Sequence, residues 1–209
     1  LLRDIANVAH GALVLFTSGS TGEPTAIRKS LRQLDAEVDA LESVFGPMID
    51  ADAVVHGTVS HQHIYGLLFR ILWPLSSGHS FAPARIAYNE QLTTLGPGPV
   101  VLIASPAHLK RLPDTQDWRM LASALRVVFS SGGPLPVQRL WGQAAIEVFG
   151  STETGGIAWR RGDGSRAPWQ PLPGVEWRVQ DSLLDVRSPH LPSTEWWSTS
   201  DRAHEAGDG

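Results

Sequence analysis

Thr17-Ser18-Gly19-Ser20-Thr21-Gly22-Glu23-Pro24 sets hydroxyl residues and glycines directly behind an apolar run, Leu13-Val14-Leu15-Phe16. A strand opening into such a loop presents backbone N–H groups to phosphate. The glycines allow close approach, and the Ser and Thr hydroxyls add neutral donors. No Gly-Lys-Ser/Thr closes the segment, so it is not a Walker loop. A second stretch, Val148-Phe149-Gly150-Ser151-Thr152-Glu153-Thr154-Gly155-Gly156, gathers an aromatic ring, hydroxyls and a carboxylate. A third, Trp197-Ser198-Thr199-Ser200-Asp201, ends on another carboxylate. Two weaker segments lie between them, His61-Gln62-His63-Ile64-Tyr65-Gly66 and Ser130-Ser131-Gly132-Gly133-Pro134-Leu135-Pro136. His61 and His63, two apart, would share a strand face that a zinc site could use, but no Cys or neighbouring carboxylate completes a tetrahedral set.

These groups need a scaffold. Residues 13–16 read as a buried strand. From Ser30 to Phe45, apolar residues at 31, 34, 38, 41, 44 and 45 follow helical spacing, with Ser30 as cap and Gly46-Pro47 as stop. Residues 53–60 read as a strand and 66–75 as an apolar helix broken by Pro74. Alternation continues with strands at 79–82, 99–103, 125–129 and 145–149, and helices near 88–95, 105–112 and 135–142. That order predicts a layered α/β domain with a mostly parallel sheet. After Gly156, short runs broken by Pro and Gly (Ile157-Ala158-Trp159-Arg160, 175–179, 183–187) read as antiparallel β structure. The expected division is therefore a core over 1–156 and a β-rich part over 157–209.

Composition narrows the class. Of 209 residues, 42% are apolar and 18% charged, which fits a soluble globular protein large enough to bury a core. A formal charge of −4 without a basic run argues against nucleic acid as partner. No apolar run is long enough for a membrane span and no secretory signal is visible. The lack of cysteine excludes a disulfide framework and a thiolate nucleophile. The eight tryptophans are expected to serve mostly as packing anchors.

In order and separation, the five segments resemble the adenylate-forming superfamily, which includes acyl-CoA and aryl-CoA synthetases, peptide-synthetase adenylation domains and beetle luciferases. The likeness runs from about residue 11 to 205. It implies the α/β N-terminal core of that group followed by a small antiparallel, β-barrel-like part. It also implies a longer enzyme with a lysine-bearing C-terminal domain, so that the 209 residues alone are expected to catalyse poorly. The implied reaction joins a carboxylic acid to ATP, giving acyl-adenylate and pyrophosphate, and then transfers the acyl group to a thiol of coenzyme A or of a carrier-protein phosphopantetheine.

The resemblance also implies roles. Thr17, Ser18, Gly19, Ser20, Thr21 and Gly22 would hold the β- and γ-phosphates. The family's usual lysine after the proline is replaced by Thr25, and Arg28 and Lys29 could supply the missing charge. Gly132, Gly133, Pro134, Phe149, Gly150 and Ser151 would take adenine, and Asp201 both ribose hydroxyls, although Ser200 replaces the usual preceding Gly. Thr152 would donate to the α-phosphate and Glu153 would hold Mg²⁺. His63, Tyr65, Gly66, Gly155 and Gly156 would border the acyl pocket, with His63 near the carboxylate. The stretch from Phe149 to Trp159 is similar to ligases of aryl-polyene-type pigment pathways, which favours an aryl acid such as a hydroxybenzoate over a fatty acid. The alternatives left open are a nucleotide-binding relative without ligase activity and a phosphate-loop NTPase. The expected location is the cytoplasm.

Overall fold

The computed structural model describes residues 11–18, 24–135, 139–162 and 167–204. Strands β1 (Ala12–Ser18) and β2 (Pro24–Ser30) form an antiparallel hairpin in full register, Ala12 opposite Ser30 and Ser18 opposite Pro24. Ser30 then starts helix α1 (Leu31–Phe45). The Gln33 N–H donates to Ser30 Oγ at 3.2 Å while Ser30 N–H donates to Gln33 Oε1 at 2.8 Å, a reciprocal capping box that satisfies two otherwise orphaned donors. Leu34, Val38, Leu41 and Phe45 turn one face of α1 into the core, and a 3₁₀ turn at Gly46–Met48 ends it.

The central sheet takes β3 (Val54–Gly57), β4 (Ser80–Phe81), β5 (Val100–Ala104), β6 (Leu125–Ser131), β7 (Arg139–Leu140), β8 (Gln143–Ser151), β9 (Gly155–Gly162) and β10 (Gln170–Pro171). Its order is β10-β9-β8-β6-β5-β3-β4. The β4-β3-β5-β6-β8 part is parallel, β9 and β10 join antiparallel, and β7 folds back on β8. Side chains alternate across it. Val101, Ile103, Val127 and Phe129 pack with α1, Phe69 and Trp73; Val100, Leu102, Ala104 and Val128 pack with Leu92, Leu109 and Leu121. Both faces are covered, which is why 99–103 reads as one apolar run, and each buried Val, Leu, Ile or Phe among them contributes about 1.5–3 kcal/mol. The expected mostly parallel α/β fold is present.

Several local expectations change. Residues 13–16 are not a buried strand: Val14 and Phe16 are 52% and 63% exposed, because among the described residues β1 pairs only with β2 and lies outside the central sheet. The helix expected at 66–75 is not broken by Pro74. It runs as α2 (Ile64–Leu67), a π turn (Leu68–Leu72) and α3 (Trp73–Ser77), and the widened π turn immediately before Pro74 accommodates a residue that has no N–H to give. Residues 88–95 form a 3₁₀ helix, Asn89–Thr94, and 105–112 only a short α4, Pro106–Leu109. Helix α5 (Arg119–Ala124) precedes β6. No helix occupies 139–142. Trp141 and Gly142, at φ 50° and 87°, form a two-residue hairpin turn joining β7 to β8; residues 136–138 lie outside the described part. Finally, β11 (Glu176–Gln180), β12 (Leu183–Arg187) and β13 (Trp197–Arg202) form an open three-stranded antiparallel sheet rather than a closed barrel among the described residues.

Two histidines couple this fold to pH. Burial lowers the His56 pKa; burial, with Arg111 adding repulsion, lowers that of His108. As pH falls through the free imidazole value of about 6.5, the unfolded chain therefore binds protons before the native one, so stability is full above that pH and declines below it. Urea midpoints measured from about pH 7.5 down to about 5.5 should fall, and His56→Gln should flatten the slope.

Candidate active site

Parallel strands share one carboxyl edge, and there the motifs meet. The segment after β3 leads to His61 and His63, the one after β6 carries Gly132, Gly133 and Pro134, and the one after β8 carries Thr152 and Glu153. Ser131 pairs with Val148, so Gly132 follows beside Phe149; the exposed glycines Gly132 and Gly133 have φ of 91° and 153°. Phe149 packs against Trp169 with ring centres 5.5 Å apart and planes tilted by 47°, and the Arg160 guanidinium sits 4.4 Å over the Trp169 ring. Phe149 and Asp201 line one cleft of about 940 Å³, although they are far apart in sequence. Arg160, Arg178 and Arg202 line it too; Arg160 is ion-paired with Glu147 at 3.0 Å and Arg178 with Asp185 at 2.9 Å. The sequence reading missed Trp169 and these arginines. Its available signal was the Trp-Arg dipeptide at 159–160 and 177–178, which also occurs outside the cleft at 118–119.

The turn carrying Thr152 and Glu153 is tightly built. Ser151 pairs with Gly155 across a three-residue loop, and Gly155 takes the left-handed conformation, φ 72°, that such a loop needs. Buried Thr154 closes it: its Oγ1 accepts from Ser151 N–H at 3.1 Å, and its own N–H donates to Ser151 Oγ at 3.2 Å. Thr152 and Glu153 stay half-buried. Lys29, expected at the phosphates, is placed elsewhere. Only 1% exposed, its Nζ donates to the Glu153 carbonyl at 2.8 Å and the His190 carbonyl at 3.0 Å. Burial lowers its pKa, opposed by the charges of Glu37 and Glu153. It is a strap between β2 and the turn, and its ammonium has no open face for phosphate.

A second, small cavity of about 40 Å³ lies behind the turn. Tyr65, Phe69, Phe149, Gly155, Gly156 and Glu37 are among its walls. Tyr65, Gly155 and Gly156 thus come together as expected, and burial pushes the Tyr65 phenol up, so it stays protonated. His63 and Gly66 do not line it. His63 is exposed at the N-cap of α2, and Gly66 is needed because a Cβ there would strike the Ser60 carbonyl. Nor do His61 and His63 share a strand face; they stand in the turn before α2, which Arg70 fastens by donating from Nη1 to the Val59 carbonyl at 2.7 Å. Among the described residues, no group of three or more His, Asp and Glu gathers to hold a metal ion. Thr17 ends close to Thr25 across the β1–β2 hairpin, and Ser18 closes β1. Gly19, Ser20, Thr21 and Gly22 lie outside the described residues.

A largely parallel sheet with these segments along its carboxyl edge is the architecture of the adenylate-forming N-terminal domain, seen in the ternary product complex of a malonyl-CoA ligase with methylmalonyl-CoA and AMP. That structure superposes with a TM-score of 0.69 at 28% identity, over 86% of this chain and 44% of that one. The family pattern of AMP-binding enzymes matches residues 4–191, and the chain belongs to that family. It is 33% identical over 190 residues to a 4-coumarate–CoA ligase of Rhodobacter capsulatus, covering 84% of this chain and 46% of that enzyme. It is 27% identical over 213 residues to the mitochondrial malonate–CoA ligase ACSF3 of Bos taurus, covering 89% of this chain and 36% of that enzyme. The chain thus spans less than half the length of these relatives.

Proposed function

We propose that the whole protein activates a carboxylic acid with ATP and passes the acyl group to a thiol. The carboxylate oxygen attacks the α-phosphorus and pyrophosphate leaves; a thiolate then attacks the acyl carbon and AMP leaves. The observation that carries this reading is the meeting of Phe149 and Asp201 in one arginine-bearing cleft, since an aromatic face, a carboxylate for ribose hydroxyls and guanidinium donors are what a nucleotide requires. Thr152, on the turn just beyond Phe149, is the donor to the α-phosphate, where charge develops. Glu153 fits Mg²⁺: it offers hard oxygen ligands on a rigid turn, and magnesium commonly takes one or two carboxylates with the rest of its shell from water and substrate phosphates. The ion, when bound, would neutralise the phosphates.

For the acid this reading favours an aryl group against the apolar walls behind the turn; the cavity of about 40 Å³ there is smaller than a ring, so its side chains must move to admit one. Tyr65, Phe69 and Phe149 supply flat apolar walls, and Gly155 and Gly156 withhold side chains. Coenzyme A is the acceptor in this reading, as the names of the relatives suggest, and a carrier-protein phosphopantetheine is the other thiol to test. No helix among the described residues is long and apolar enough to cross a membrane, and a cytoplasmic location belongs to the same proposal. The test is acid-dependent ATP–pyrophosphate exchange by the full-length protein across aryl, fatty and amino acids, with CoA and a phosphopantetheinylated carrier as acceptors. Exchange with aryl acids is the expected result. ATP binding without exchange for any acid would identify a nucleotide-binding relative that does not ligate.

A further inference from the structure

Trp169, half-buried just before β10, was given no role by the sequence reading, yet its indole is the ring against which Phe149 packs. The two ring centres are 5.5 Å apart. A base held between two rings needs about 7 Å, two van der Waals contacts of about 3.5 Å each, so no base enters between them. The indole is held in turn. The Arg160 guanidinium lies 4.4 Å over it and donates from Nε to Glu147 Oε1 at 3.0 Å and from Nη2 to Oε2 at 3.3 Å. Glu147, only 6% exposed, also accepts the Leu135 N–H at 3.2 Å. Strand register explains why these residues meet. Glu147 stands opposite Arg160 in the β8–β9 pairing, and Gln170 opposite Trp159, so Trp169 falls beside Arg160. Glu147, Arg160 and Trp169 therefore form one row of contacts running from the sheet to the Phe149 ring, and that ring, with Arg160 and Trp169, faces the large cleft.

We infer that Trp169 is a positioning residue for the nucleotide: it acts through Phe149, fixing the angle at which that ring meets the base. This rests on the nucleotide-binding part of the reading above and not on the activation of an acid. The outer torsion of a phenylalanine side chain is broad, so a ring at a strand end can tilt. Packed on an indole that Arg160 and Glu147 hold in place, the Phe149 ring keeps one orientation, and its ordering is complete before the base arrives. The phosphates lie outside this effect, because the row ends on a ring.

The test is calorimetric binding of ATP to the full-length protein, with tripolyphosphate as a ligand that has phosphates and no base. Trp169→Leu, which fills space without a flat face, should weaken ATP about tenfold and leave tripolyphosphate within about twofold. Trp169→Phe should hold ATP within about threefold, since a phenyl ring still packs on Phe149 and under Arg160. In a Phe149→Leu background, Trp169→Leu should add no more than about twofold, because the residue acts through that ring. Should the leucine protein not fold, Trp169→Met takes its place with the same expectations. In exchange assays KM for ATP should follow the binding change while kcat stays within about twofold. A folded Trp169→Leu protein that binds ATP as the parent does would overturn the inference. So would equal losses of ATP and tripolyphosphate, or the full tenfold loss in the Phe149→Leu background, which would give the indole its own contact with the base. Absence of exchange with every acid, alongside the expected ATP losses, would remove only the ligase reading; a parent that binds no ATP would remove both.

Discussion

Lys29→Met is expected to lower the thermal midpoint by about 10 °C, read by circular dichroism. The substitution keeps an unbranched apolar stem of similar length, so packing along β2 changes little. What goes is one buried ammonium serving two carbonyls, Glu153 O at 2.8 Å and His190 O at 3.0 Å. Each carbonyl left unpaired in the interior costs about 1–3 kcal/mol, and the desolvation of the ammonium, now avoided, returns part of that. A net loss of about 3 kcal/mol, at about 2–4 °C per kcal/mol for a chain of this size, gives the expected shift. The same strap fixes the backbone of the turn bearing Thr152 and Glu153, so KM for MgATP should rise while affinity for the acid holds. An unchanged midpoint would show that the strap adds nothing net to folding.

Lys29 also shows where sequence reasoning stops. Its position soon after a phosphate-type loop suggested a phosphate contact, yet its partners are 124 and 161 residues away and no local pattern announces them. Glu37 went unnoticed for the same reason: on α1 it is one charge among several until Gly156 is brought onto it, 119 residues on. Features set by contiguous residues were legible. Ser30 as cap, the apolar spacing and the Gly46-Pro47 stop fix α1 to within a residue, and the apolar runs at 99–103 and 125–129 give paired strands because both sheet faces are covered. An apolar run does not specify its neighbours, however, so β1 read as buried when it is an exposed hairpin strand. The Trp141-Gly142 turn was hidden for a related reason: it needs positive φ at a tryptophan, which sequence preference argues against.

The motifs themselves were more informative than the elements. Phe149 and Asp201 reach one cleft because β8 ends at the carboxyl edge of the central sheet while β13 lies in the small three-stranded sheet that helps to wall it. The arginines of the cleft were less visible. Arginines at 160 and 178 alternate with aromatic neighbours as exposed strand residues commonly do, and only the approach of the two sheets turns both toward one space.

Glu153→Ala should lower acid-dependent pyrophosphate exchange by about 10³-fold, which corresponds to about 4 kcal/mol of transition-state stabilisation. The structure separates this effect from folding. The turn is held by backbone and by its neighbours: Ser151 and Thr154 bond reciprocally, Gly155 supplies the left-handed residue, and Lys29 grips the carbonyl of residue 153, which alanine retains. Stability should therefore stay within about 0.5 kcal/mol of the parent. The carboxylate alone is removed, and with it the oxygen donor assigned to magnesium, so the apparent magnesium requirement should rise and added magnesium should restore part of the lost rate. Binding of the acid, proposed to involve Tyr65, Phe69 and the two glycines, should be nearly unchanged. Exchange at the parental rate in a folded Glu153→Ala protein would remove Glu153 from the metal site and leave Thr152 and the arginine-lined cleft to balance the phosphate charge unaided.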